Sequence, residues 1–284
     1  MTEQSQSTTS QADYTQRWWA PNAGVTDKTR HFLEKYSKIP ADQVESHIRT
    51  LQDKASKVHP YPCIGSWRFL EWGLKTHPLY ESEILPRMLQ EDEIYLDMGC
   101  AIAQDIRWLV SDGVDSSKTY GADLRLDYLD IGFEMFRDRD TLKTTFIQAD
   151  ILDPQNALFI KLEGQVNILG ASAFLHLFTY DTQKKVAMAL ATLLKPQKDS
   201  LIVGRQMGSF VPGEYKRRDD DVMRYRHDVE SWKKFWKEIG DETGVEYAVE
   251  AELLEIEKSL RPERSAGQNE DNSGSMTFSV RRMN

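Results

Sequence analysis

Beyond Leu89 the chain alternates short apolar runs with helix-length stretches, and no other feature limits its fold so tightly. The strand-like runs are "IYLDMG" near Ile94, "KTYGADL" near Tyr120, "TTFIQADI" near Phe146, "VNILGASAF" near Ile168 and "SLIVGRQM" near Ile202. Strands with room for a helix between each pair predict βαβ units, because a right-handed crossover between parallel strands needs that much chain. Two later runs, "EYAVEAELLEI" near Val249 and "MTFSVRR" near Phe278, have only the polar stretch "SLRPERSAGQNEDNSGS" between them. No amphipathic helix lies inside it, so these two are expected as antiparallel neighbours and the sheet ends in a hairpin.

Upstream the texture differs. Met1 to Gln16 is rich in Ser, Thr and Gln without periodic apolar residues, which predicts a mobile tail over 1–16. Between Thr29 and Ala55 the residues Phe32, Leu33, Tyr36, Val44, Ile48 and Leu51 fall at helical spacing, interrupted by the turn signal "KIPAD". A further helix is expected at "SWRFLEWGLK", after the Pro-rich "HPYPC". The organisation is then a tail (1–16), a helical extension (17–92) that covers one side of the ligand site, and an α/β domain (93–284).

Composition narrows the partners. A formal net charge of −9, with few Lys/Arg clusters, disfavours nucleic acid, whose binding rests on phosphate neutralisation, and favours a small molecule. Cys63 and Cys100 lack metal-ligand spacing, so no metal is expected. No basic start with an apolar h-region and no apolar stretch near the roughly 20 residues of a membrane span are present, so a reduced, cytoplasmic protein is expected. The pair Trp18 and Trp19 in "RWW" is expected to pack on the protein itself, the alternative being contact with a membrane or an apolar ligand.

In an open parallel sheet, ligands gather beyond the carboxyl ends of the strands at the switch point. Here that place is held by "LDMGCAIAQD". A dinucleotide loop needs several glycines so that backbone can approach a pyrophosphate. This loop has Gly99 alone, with Ala101 and Ala103 where further glycines would stand and the carboxylate of Asp97 two residues before it. Those features suit a ligand with an adenosine, no phosphate and positive charge, a description that S-adenosylmethionine meets. Asp123 stands twenty-six positions after Asp97, where an acid ending the second strand can accept from ribose hydroxyls, and Asp150 ends the third strand, where it can accept from an adenine amino group. The expected cofactor-binding set is Asp97, Gly99, Cys100, Ala101, Gln104, Asp123, Leu124, Asp150, Ile151 and Ala171.

These residues carry a resemblance. "LDMGCAIAQD", "GADL", "QADI" and "NILGASAFLHLF" look like successive motifs of the class I S-adenosylmethionine-dependent methyltransferases, over roughly 93–284. More closely, "LDMGCAIAQDIRWLVSDG", "ADLRLDYLDIGFEMFRDR" and "ASAFLHLFTYDTQ" resemble the methyltransferases of fungal meroterpenoid pathways. The resemblance implies a Rossmann-like α/β fold with a seven-stranded, mostly parallel sheet, a terminal antiparallel strand, helices on both faces and an N-terminal helical extension. It also implies methyl-ester formation on a prenylated, aromatic-derived carboxylic acid, and a homodimer. The missing glycines depart from the general class I pattern but agree with the narrower group.

On the acceptor side, His176 follows the fourth strand and can orient a carboxylate or take a proton from a phenol. Arg205 and Gln206 end the fifth strand and are expected to face the same cleft, the arginine offering a bidentate fork to a carboxylate. The run "EYKRRDDDVMRYRHD" reads as a solvated loop, or as a lid supplying Arg217, Arg218, Tyr225 and Arg226. Tyr61, Trp67, Phe69 and Trp72 either line a terpenoid pocket or pack in the core. A phenol or alcohol acceptor, a nicotinamide oxidoreductase and a cofactor-binding protein without turnover are the competing readings. Base methylation in nucleic acid is disfavoured, because "GASAF" stands where an Asn/Asp-Pro-Pro-aromatic motif would sit.

Overall fold

A computed structural model describes residues 25–90, 92–216, 222–256 and 272–284. The predicted tail, the Trp18–Trp19 pair, Arg217 and Arg218 lie outside the described residues. The centre is a seven-stranded sheet in the order β3-β2-β1-β4-β5-β9-β8. Its strands are β1 (Tyr95–Met98), β2 (Thr119–Asp123), β3 (Thr145–Gln148), β4 (Ile168–Gly170), β5 (Leu201–Ser209), β8 (Tyr247–Glu255) and β9 (Ser273–Arg282). The first five run parallel, and β9 pairs antiparallel with both β5 and β8. The five crossover strands and the terminal hairpin are therefore where the apolar runs put them.

Both faces of the sheet are covered, which is why its central strands read as unbroken apolar runs. In β1 the alternation of side chains sends Leu96 and Met98 to one face and Tyr95 and Asp97 to the other. The Leu96 face packs with Leu169, Ile202 and Phe278 against the helices α7 (Ala157–Leu162), α8 (Tyr180–Leu193) and α9 (Val229–Thr243). The Tyr95 face packs with Ile168, Leu201 and Val203 against α4 (Leu85–Gln90), α5 (Gln104–Ser111) and Leu129 of α6 (Asp127–Phe136).

The extension adds a second layer over α6. Its helices α1 (Asp27–Lys35) and α2 (Val44–Val58) flank a 3-10 turn at Ala41–Gln43, inside the "KIPAD" signal. Phe32, Leu33, Val44, Ile48 and Leu51 are buried against Tyr128, Ile131, Met135 and Phe136. The helix expected at "SWRFLEWGLK" is not formed. The short α3 (Pro62–Gly65) precedes it and a 3-10 turn at Arg68–Leu70 stands in its place, because Trp67 adopts φ 63°, a left-handed value that ends any right-handed helix. That bend lets Trp67, Phe69, Leu70 and Trp72 all bury in the core shared with α6, where Tyr61 packs against them. Trp67, Phe69 and Trp72 are thus packing residues, and the Trp72 indole donates to Thr29 Oγ1 at 3.1 Å.

The mixed-charge stretch after β5, read as a loop, instead forms an antiparallel hairpin of β6 (Gly213–Lys216) and β7 (Met223–Arg226). It is fastened to the body by the Tyr225 amide on the Phe178 carbonyl at 2.9 Å and by Gln183 Nε2 on the Tyr225 carbonyl at 2.8 Å. Among the described residues no helix is long and apolar enough to cross a membrane.

Candidate active site

From β1 the chain turns through Gly99 to Ala103 into α5, with φ of 73° at Gly99, 46° at Ala101 and 52° at Ala103. An alanine in this region costs about 1 kcal/mol relative to glycine, so something must hold the turn. Its own amides do part of this. Gly99 and Cys100 N–H both donate to the Ala122 carbonyl (2.8 and 3.1 Å), Ala103 N–H donates to Cys100 O (2.6 Å), and Ala101 N–H donates to Asp123 Oδ2 (2.9 Å).

Arg107 does the rest. Its Nη1 donates to the carbonyls of Ile102 (2.6 Å) and Ala103 (3.3 Å), while Nε and Nη2 form a fork on Asp138 at 2.7 and 3.0 Å. Asp138 also accepts from the hydroxyl of Tyr36 in the extension at 2.9 Å. Above the turn lies Phe174, whose ring would be 2.8 Å from a Cβ on Gly99, so only glycine fits there. With four amides already bonded inside the protein, the turn has little left to offer a pyrophosphate.

Three acids meet around it. Asp97 is buried on the Tyr95 face, opposite Gly170 of β4; a Cβ on Gly170 would lie 2.3 Å from the Tyr95 hydroxyl and 3.4 Å from Asp97 Oδ1. Asp105, in the first turn of α5, is buried, and its Oδ1 has no hydrogen-bond partner among the described residues. Asp123, at the end of β2, accepts from the amides of Ala101 and Arg125, each at 2.9 Å.

Burial pushes all three carboxyls upward. Asp97 rises well above the carboxylate range, helped by the charges of Asp105 and Asp123. Asp105 is pushed up to about 7 by burial, against the Leu74 amide and the charges of Arg205 and Lys28. Asp123 is raised by burial against its two amide donors. Like-charged buried acids with an unused acceptor form a site that a cation would stabilise.

The remaining expected cofactor residues divide by exposure. Asp123 pairs with Gln148 across β2 and β3, so the chain beyond both aspartates emerges from neighbouring strand ends. There Leu124 is 55% exposed and Leu152 44%, an apolar surface beside the acceptors of Asp123 and Asp150. Asp150 is exposed, and its Oδ1 accepts from the Leu152 amide at 3.0 Å. Cys100, Ile151 and Ala171 are buried, and Gln104 is half-buried as the first residue of α5. A separate groove of about 340 Å³, lined by Glu163, Leu194, Tyr247 and Arg282 among others, lies at the amino ends of β4, β5 and β8, away from these acids.

His176 sits half-buried in the 3-10 turn Leu175–Leu177, just beyond β4. Arg205 and Gln206 do not share a cleft, contrary to expectation. β5 is unbroken at this point, so Arg205 follows Leu201 and Val203 onto the Asp97 face while Gln206 follows Ile202 onto the other. Gln206 is buried with Oε1 unpartnered among the described residues, whereas Arg205 is ion-paired with Glu71 of the extension. Sequence reading missed Asp105, Arg107 and Glu71. A first-turn acid and a mid-helix arginine look ordinary, and the Arg107–Asp138 pair spans 31 positions with no local signal.

Known proteins agree with this architecture. A family model described as "Meroterpenoid methyltransferase N-terminal domain" matches residues 18–70, most of the extension. The O-methyltransferase atr3 of Stereocaulon alpinum is 44% identical over 236 residues, covering 82% of this chain and 67% of that protein. The O-methyltransferase phiE of a fungal species is 40% identical over 232 residues, covering 82% of this chain and 77% of that protein. Among solved structures, the (4+2)-cyclase SpnF overlays with a TM-score of 0.50 at 10% identity, over 72% of this chain and 80% of that one, a likeness of fold alone. Identity of this depth over most of each relative, together with the matching N-terminal segment, means that the chain belongs to the meroterpenoid methyltransferase family of which these fungal O-methyltransferases are relatives.

Proposed function

We propose that the protein is an S-adenosylmethionine-dependent O-methyltransferase of secondary metabolism that forms the methyl ester of a meroterpenoid carboxylic acid. The observation that carries the cofactor assignment is the buried Asp105 with its unpartnered Oδ1, set beside Asp97 next to a turn whose amides are already used. Such a site favours a cation and disfavours a phosphate. When bound, S-adenosylmethionine supplies an electrophilic methyl group on a sulfonium.

The chain's own part is binding and orientation. Asp97 and Asp105, once ionised, would balance the ligand's positive charge. Asp123 would accept from the ribose hydroxyls with the lone pairs that the Ala101 and Arg125 amides leave over, Leu124 would offer an apolar surface to the adenine, and Asp150 would accept from its amino group. Methyl transfer is an in-line displacement, so holding the acceptor oxygen collinear with the methyl and sulfur is the main task, and proximity can supply several kcal/mol. A carboxylic acid, with an ordinary pKa of about 4, arrives ionised and needs no base. The guanidiniums of Arg68 and Arg205 at this end of the sheet suit such an anion.

The test uses a farnesylated hydroxybenzoic acid, which carries a carboxyl and a phenol in one molecule. Incubation with S-adenosylmethionine is expected to add one methyl as a base-labile ester, identified by mass spectrometry. Methylation on the phenol would overturn the ester assignment and move the function to a hydroxyl acceptor with His176 as its base.

A further inference from the structure

Glu71 stands between two arginines that come from different parts of the fold. Arg68, in the 3-10 turn of the extension, places Nε 3.2 Å from Glu71 Oε1. Arg205, on β5 and 134 positions away, donates through Nη2 to Glu71 Oε2. We infer that Arg68 and Arg205 form a two-guanidinium cradle for the carboxylate of the methyl acceptor, and that Glu71 is an internal carboxylate which the acceptor displaces. The inference deepens the carboxyl-methylation reading and rests on it.

Exposure separates this pair from the protein's structural ion pairs. The side chains of Arg205, Glu71 and Arg68 are 29%, 40% and 44% exposed, so water and an organic acid can reach all three. The Arg107–Asp138 pair, which holds the loop, has side-chain exposures of 0% and 5%. Exposed pairs contribute little to stability and exchange readily, whereas a guanidinium still recognises a carboxylate by its fork geometry. Burial alone would raise the Glu71 carboxyl, but the charges of Arg68 and Arg205 outweigh it and hold the group below its usual range. Displacement keeps the local charge unchanged, since one carboxylate moves into water as another arrives.

Position completes the case. The segment from Glu71 to Leu74 lies against Asp105 and Ser172. A Cβ on Gly73 would be 3.1 Å from Ser172 Oγ and 3.3 Å from Asp105 Oδ2. The Arg205 carbonyl accepts from the Ala173 amide at 2.6 Å, which fixes this point of β5 to the loop after β4. An acid held on Arg205 would therefore sit at the rim of the site proposed for the methyl donor.

The experiment compares wild type, Glu71→Gln and Glu71→Ala with the farnesylated hydroxybenzoic acid as acceptor and S-adenosylmethionine saturating. Removal of the competing carboxylate is expected to lower KM for the acid about two- to fivefold in both variants, with kcat unchanged, the range set by an exposed ion pair. Arg205→Ala is expected to raise KM about tenfold or more, with partial rescue by Arg205→Lys. A merely structural Glu71 predicts a lower melting temperature and an unchanged or higher KM, and that result would overturn the cradle. Ester formation without the fall in KM defeats this inference alone; ether formation, or no binding of the acid to any form by calorimetry, defeats the carboxyl reading as well.

Discussion

Arg107→Ala is expected to lower the unfolding free energy by about 3–5 kcal/mol, the usual cost of breaking a buried ion pair from one side. The side chain has no exposure, forks onto Asp138, and its guanidinium carbon lies 4.6 Å from the Phe136 ring centroid. Alanine would leave Asp138 buried with the Tyr36 hydroxyl as its remaining partner of this network and would strip the donor from the Ile102 and Ala103 carbonyls. It would also release a turn that holds two alanines at positive φ. Urea unfolding at neutral pH measures the change. A loss below about 1 kcal/mol, the size of an ordinary surface substitution, would mean that the turn keeps its shape without the arginine.

Asp123→Ala is expected to weaken S-adenosylmethionine binding by about 1–3 kcal/mol through lost hydrogen bonds to a charged acceptor, or about five- to 150-fold. The same change frees the Ala101 amide, so melting of the variant must be compared with wild type to separate damage to the turn from loss of the ribose contact. Asp123→Asn, which keeps one acceptor oxygen, is expected to fall between them. Unchanged affinity in a folded Asp123→Ala protein would refute the ribose assignment.

A pH signature accompanies this binding. The Asp105 carboxyl is pushed up to about 7, so near pH 6 most molecules carry it protonated, and a cationic ligand must expel that proton. Affinity is expected to rise with pH through this window, by about tenfold from Asp105 alone between pH 6 and 8 and by more where the raised Asp97 must also ionise. The sign for folding is opposite. A carboxyl raised in the native state holds its proton after the unfolded chain has released it, so Asp105 costs the unbound fold stability as pH climbs from about 4 toward 7.

Much of the fold was legible because burial on two faces makes an unbroken apolar run, as in "ILG" of β4 and "LIVG" of β5, and a helix buried on one face makes a stripe, as in Phe32 and Leu33 of α1 and Val44, Ile48 and Leu51 of α2. Trp67 hid a chain reversal that no residue preference announces, since a bulky aromatic rarely takes a positive φ. The β6–β7 hairpin was obscured by strands of four residues in which, of β6 and β7, Tyr215 alone is buried. At the site, Asp97 and Asp123 were visible as acids ending strands. Asp105 acquires its meaning from the lid of Gly73 and Leu74 above it, a contact between distant segments that no spacing encodes. For Arg205 and Gln206, the two-residue period of a strand already implied opposite faces.

The turn after β1 is assigned to a cationic, phosphate-free adenosine ligand. The most direct test is calorimetric titration of the protein at pH 8 with S-adenosylmethionine and, in parallel, with NADH. Saturable binding of the first and none of the second is expected. Binding of NADH with no response to S-adenosylmethionine would contradict it, and the roles given to Asp97, Asp105 and Asp123 would fall together.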